Sequence, residues 1–84
     1  MIAGEDIRAA VVSQLADAVV LLEDLTGGQD HWSAVVVSDM FGGLNRVQQH
    51  KLVYRALSEP LKGPLHALQL RTLTHQMARD EGLL

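Results

Sequence analysis

Four histidines, His31, His50, His66 and His75, are the residues of this sequence best suited to hold a metal or move a proton near neutral pH. The chain has no cysteine, which excludes disulfides, thiol nucleophiles and cysteine-ligated zinc. A metal must therefore be held by imidazoles or carboxylates, with any sulfur ligand supplied from outside. Serine chemistry is poorly provided for. Ser33 and Ser38 are the candidates to pair with a histidine, but strand alternation sends them to opposite faces, and no third group is placed to orient the base.

The elements that must position these residues are legible from periodicity. Ile7, Val11 and Leu15 recur every fourth residue, and Glu5 and Asp6 suit a helix start, so a helix is expected from Glu5 to Ala16. The β-branched and apolar density of "AVVLLEDL" predicts a strand from Val19 to Leu25. "TGGQD" is a turn, and "HWSAVVVSD", His31 to Asp39, is a second strand that closes a hairpin with the first. After "MFGG", Asn45 is placed to cap a helix running to Ser58. Pro60, Gly63 and Pro64 interrupt the chain. "LHALQLRTL", Leu65 to Leu73, is the third strand, and Thr74 caps a last short helix ending near Gly82. The order is α-β-β-α-β-α, an α+β domain around a three-stranded sheet, with residues 1–84 forming one domain.

Strand two, helix two and strand three make a β-α-β unit, which joins parallel strands. His31 opens strand two and His66 opens strand three, so both fall at the same end of the sheet, on strands about 4.8 Å apart. Two imidazoles at one sheet end suggest a shared metal site, although zinc wants about four ligands and iron–sulfur clusters mostly take thiolates. Taken singly, the same residues have plainer readings: His66 packs beside Leu68 and Leu70, and His31 is a loop residue. His50, within the stripe Val47, Val53, Tyr54 and Leu57, is expected to be buried and structural, and His75 to be solvated at a helix start.

The net charge of −3 conceals an asymmetry: residues 1–44 carry one base and seven acids, whereas residues 45–84 carry six bases and three acids. Such a mildly basic half suits an acidic partner, but it lacks the dense patch expected of a nucleic-acid binder. No apolar run approaches the ~20 residues of a membrane span, so no membrane role is expected. The acidic N-terminus does not read as a targeting peptide. A cytoplasmic protein, or an already trimmed mature form, is the expectation.

Three stretches, "DHWSAVVVSDMFGG", "NRVQQHKLVYRAL" and "LHALQLRTLT", resemble the BolA family in order and spacing, over about Asp24 to Thr74. The matching signatures are a Cys or His in the loop before strand two, "vvSxxF.G", "RHxxVy" and "HALxlxT". The resemblance implies a KH-like (class II) α+β fold with strands two and three parallel, and no enzymatic activity. It also implies pairing with a monothiol glutaredoxin to share a 2Fe-2S cluster, with glutathione as a thiol ligand, in iron–sulfur trafficking or iron regulation. On that pattern the metal ligands are His66, of the "HAL" motif, and His31, of the loop. The chain departs from the family at "THQMA", where a "TPEEW"-like tail is usual, so His75 replaces proline and Ala78 replaces tryptophan. Gln49 precedes His50 where the family has arginine, and Trp32 stands where phenylalanine is common.

The alternative is a KH-like, DNA-binding transcriptional regulator, using Arg46, Lys51 and Arg55. Against it, KH domains clamp nucleic acid with a GxxG loop, and only the pairs Gly27-Gly28 and Gly42-Gly43 occur here. A homodimer is a further partner arrangement compatible with the sequence.

Overall fold

The computed structural model describes all 84 residues. Helix α1 (Gly4–Gln14) is followed by strands β1 (Val19–Asp24) and β2 (His31–Val37), a 3-10 turn at Asp39–Phe41, and helix α2 (Arg46–Ala56). Helix α3 (Ser58–Leu61), strand β3 (Ala67–Leu73) and helix α4 (His75–Asp80) complete the chain. The sheet order is β1-β2-β3, with β1 antiparallel and β3 parallel to β2. The α+β architecture and the parallel β2–β3 pair are as the sequence predicts.

One face of the sheet is covered by α1 and α2, and the other only at the end where α4 packs. Val20 of β1, Trp32, Ala34 and Val36 of β2, and the partly buried Leu68 and Leu70 of β3 meet Ile7 and Val11 of α1 and Val53 of α2 in the main core. Phe41, Leu57 and Leu65 join this cluster from the connections. Burying a side chain of this size is worth about 1.5–3 kcal/mol, so this face carries most of the stability. The opposite face is smaller: Val37, Leu73 and Ala78 of α4 pack together, with Val19 and Val35 at their margin.

The differences from expectation lie at element ends. Ser38 leaves the second strand and caps the 3-10 turn, its hydroxyl accepting from Met40 N. Asn45 caps α2 as expected, in a reciprocal capping box with Gln48, but the helix ends at Ala56 rather than Ser58. The proline expected to stop the chain instead lies inside α3. Pro60 is the third residue of that helix, where an N–H would have no intrahelical acceptor. Strand β3 begins at Ala67, two residues later than expected.

Candidate metal centre

The site is built from backbone outward. In the loop between β1 and β2, Asp24 Oδ1 accepts from Gly27 N and the Asp24 carboxylate also accepts from Gln29 N. Gly27 takes φ +79°, which favours glycine, and Gln29 shares this left-handed region at φ 57°. This folded loop delivers Asp30 to the edge of the sheet. Its carbonyl then accepts two N–H groups, His66 N at 2.8 Å and Ala67 N at 3.2 Å. Ile2 N donates to Gln29 O at 2.7 Å, strapping the chain start across the same loop.

That double acceptor explains a correction. The sequence places His66 on the core side of β3 with Leu68 and Leu70. Instead His66 precedes the strand, turned off its pleat and exposed, while Leu65 before it is buried. His31 does open β2, paired with Ala67 across the ladder. Despite these different settings the two rings meet: their centroids are 6.2 Å apart and their planes differ by 16°.

The ring of His31 lies against a carboxylate. Its Nδ1 is buried and lies 3.0 Å from Asp30 Oδ1, too far off axis for a hydrogen bond. The neighbouring His31 imidazole, ahead of the opposing desolvation, holds the Asp30 carboxyl below its usual range, helped by Thr26 and His66. A carboxylate beside Nδ1 is the neighbour that commonly orients a metal-ligating imidazole. The half-exposed ring opens to solvent. His31 and His66 thus stand close enough to fit two positions of a metal centre. Next along β2, Trp32 points into the main core and packs against Gly4, where a Cβ would stand 3.3 Å from the indole ring. The greater bulk of tryptophan is received by a glycine on α1.

Other candidates are placed elsewhere. His50 is half-buried, edge-on to Tyr54 with centroids 6.4 Å apart. The expected apolar stripe is partly exposed, since Val47 and Tyr54 face solvent and only Val53 and Leu57 are buried. Arg46, Lys51 and Arg55 are all exposed on α2. At about 100° per residue, Lys51 and Arg55 share one side while Arg46 lies about 140° from Lys51. They do not form one patch.

His75 is also corrected: it is not free in solvent but part of a latch. Its Nε2 is 3.0 Å from Asp17 O and 3.4 Å from Asp17 Oδ2, and its N–H donates to Asp39 Oδ1. Asp17 accepts from Ser38 Oγ and from Asp39 N. The Ser38 hydroxyl, then the Asp39 amide, hold the Asp17 carboxyl below its ordinary value, against desolvation. The latch joins the α1–β1 connection, the 3-10 turn and the start of α4. Its only sequence signal is the histidine that replaces proline after Thr74.

Comparison with known proteins adds the relationship. A family model described as "BolA-like protein" matches residues 9–77. The chain is 34% identical over 73 residues to protein RP812 of Rickettsia prowazekii, covering 87% of this chain and 95% of that one. It is 35% identical over 85 residues to BolA-like protein 1 of Homo sapiens, covering 93% of this chain but only 62% of that protein. A protein of Escherichia coli named DNA-binding transcriptional regulator BolA is 40% identical over 48 residues, 57% of this chain and 46% of that protein. Among solved structures, a bolA homologue from Coxiella burnetii superposes with a TM-score of 0.80 at 30% identity, covering 94% of this chain and 99% of that one.

Proposed function

This chain belongs to the BolA family, and from that membership we propose that it is a non-enzymatic cytoplasmic module that pairs with a monothiol glutaredoxin to share a glutathione-ligated 2Fe-2S cluster. The observation that carries this reading is the meeting of His31 and His66, two near-parallel imidazoles with a carboxylate behind one of them. A chain without cysteine supplies no thiolate to such a cluster, so its thiolates come from the partner and glutathione. Were both histidines to hold one iron, the potential of such a cluster would lie above that of an all-thiolate one. This suits a complex that senses or relays iron rather than one that carries low-potential electrons.

Anaerobic reconstitution tests it. This protein is mixed with a monothiol glutaredoxin, glutathione, ferrous iron and sulfide, and visible absorption and circular dichroism are recorded. The expected result is a spectrum distinct from that of the glutaredoxin homodimer, reverting to it with His66→Ala. His31→Ala is expected to shift the spectrum and lower cluster retention. A spectrum indifferent to adding this protein overturns the proposal.

A second reading, DNA-binding regulation, is supported by the name of the Escherichia coli relative. It has less support from geometry, because Arg46 is turned away from Lys51 and Arg55. Duplex DNA titrated at low salt distinguishes it: a salt-dependent shift supports it, and a flat titration removes it.

A further inference from the structure

We propose that the open edge of β3, between α2 and α4, is a docking groove for an extended acidic segment of a partner protein, which adds to the sheet as a fourth strand. The groove lies along the second half of β3, away from His66 and His31.

The backbone comes first. At one end of the β2–β3 ladder Ala67 N donates to Asp30 O, and at the other Ser38 N donates to Leu73 O at 2.9 Å. Bonding residues alternate along a parallel strand, so Ala67, Gln69, Arg71 and Leu73 direct their peptide groups to β2. Leu68, Leu70 and Thr72 therefore direct theirs outward. Because β3 is an edge strand, these groups have no strand to pair with. Nor does β3 carry a proline to blunt the edge.

A cleft of about 510 Å³ runs along this edge, lined among others by Arg46 and His50 of α2, Leu70, Arg71 and Thr72 of β3, and Met77 of α4. No carboxylate lines it. Arg46 and Arg71 flank it from opposite sides. Thr72 faces α2, where its hydroxyl donates to Gln49 Oε1 at 2.6 Å, whereas Arg71 faces α4 and binds Glu81 at 2.7 Å. Arg46 is exposed and has no ion-pair partner. Successive residues of an added strand point to opposite faces. A segment with two adjacent acidic residues would present one to Arg46 and the next to Arg71, displacing Glu81. The outward peptide groups both donate and accept, which matches a strand. A phosphate backbone offers acceptors only and would leave the Leu70 and Thr72 carbonyls unpaired.

Main-chain bonds supply much of the affinity in strand addition, so a generic probe serves. The 15N-labelled full chain is titrated with a capped hexapeptide, threonine-valine-aspartate-glutamate-valine-threonine, while amide shifts and hydrogen exchange are followed. Saturable shifts and slowed exchange at Leu70 and Thr72 are expected. Arg46→Gln should weaken binding about two- to fivefold, and Glu81→Gln should strengthen it by a similar factor, the range of one exposed ion pair. The same peptide N-methylated on alternate residues, tested in both registers, keeps the charge but loses the edge bonds. One of the two registers should bind at least about tenfold more weakly, a loss of about 1.4 kcal/mol. The proposal is overturned if both methylated forms bind as well as the parent, if Leu70 and Thr72 do not respond at millimolar peptide, or if only a single-stranded oligonucleotide engages them. Repeating the titration in His66→Ala should change nothing, which separates this groove from the metal centre.

Discussion

At the scale of single residues, two carboxylates are held below their usual range for different reasons. Asp30 owes its shift first to the imidazole of His31, and Asp17 owes its shift first to the hydroxyl of Ser38. The second has a consequence for acid stability. Ser38 is fully buried and donates a hydrogen bond from its hydroxyl to the Asp17 carboxylate, which also accepts from the Asp39 amide. A carboxyl whose folded pKa lies below its unfolded value of 3.8 stabilises the fold above that value. This contribution is lost as the pH falls through the lowered folded pKa. Asp17→Asn should therefore melt at a lower temperature than the parent at pH 7. The gap should close progressively as the pH is taken below 3.8, as thermal unfolding followed by circular dichroism would record. A gap that stays constant down to strong acid would place the loss in packing instead of charge.

At the scale of elements, helix α2 shows how local chemistry fixes a boundary. The reciprocal bonds of Asn45 and Gln48 satisfy amides that an open helix start leaves bare. Gln49 then ties the helix to the turn before it, donating to Phe41 O and Leu44 O. Asn45→Ala should cost about 1 kcal/mol, or about 4–8 °C in melting temperature for a domain this small, without altering the His31–His66 pair. Periodicity was enough to place this helix and its cap, because both signals are local. It was not enough to assign its buried face. Val47 and Tyr54 fit the apolar pattern yet stay exposed, while the polar Gln49 is drawn inward by backbone carbonyls and Thr72. Alternation likewise put His66 on the apolar side of its strand. It failed there because the rule holds only within the ladder, and His66 lies one residue before it. What brings His66 to His31 is the Asp30 carbonyl, a long-range contact with no signature in sequence.

At the scale of the whole molecule, the sheet divides the chemistry by its ends and edges. The histidines stand where β2 and β3 begin, the latch of Asp17, Asp39 and His75 where β2 and β3 end, and the basic cleft along the outer edge of β3. No helix is long and apolar enough to cross a membrane. The sequence's acidic first half and basic second half do not become two poles, since the bases of α2 point in different directions. The overall α+β plan was readable, and so was the placing of both histidines at one end of the sheet, because hydrophobic period and crossover topology determine them, whereas the turn of His66 onto His31 was not. The latch and the edge cleft were not, since each joins side chains far apart in the chain. The single carbonyl oxygen of Asp30, shared by His66 and Ala67, also governs where this fold can absorb added length. A residue inserted beside Gly63, where an added side chain would meet nothing within 4 Å, would enlarge a connection without moving either ring. One inserted between Asp30 and His31, or between His66 and Ala67, would break the shared bond and put one imidazole out of step with the other. A scan of single-glycine insertions, read by cluster retention in the reconstituted complex, should therefore show one tolerant stretch around Gly63 and two intolerant junctions.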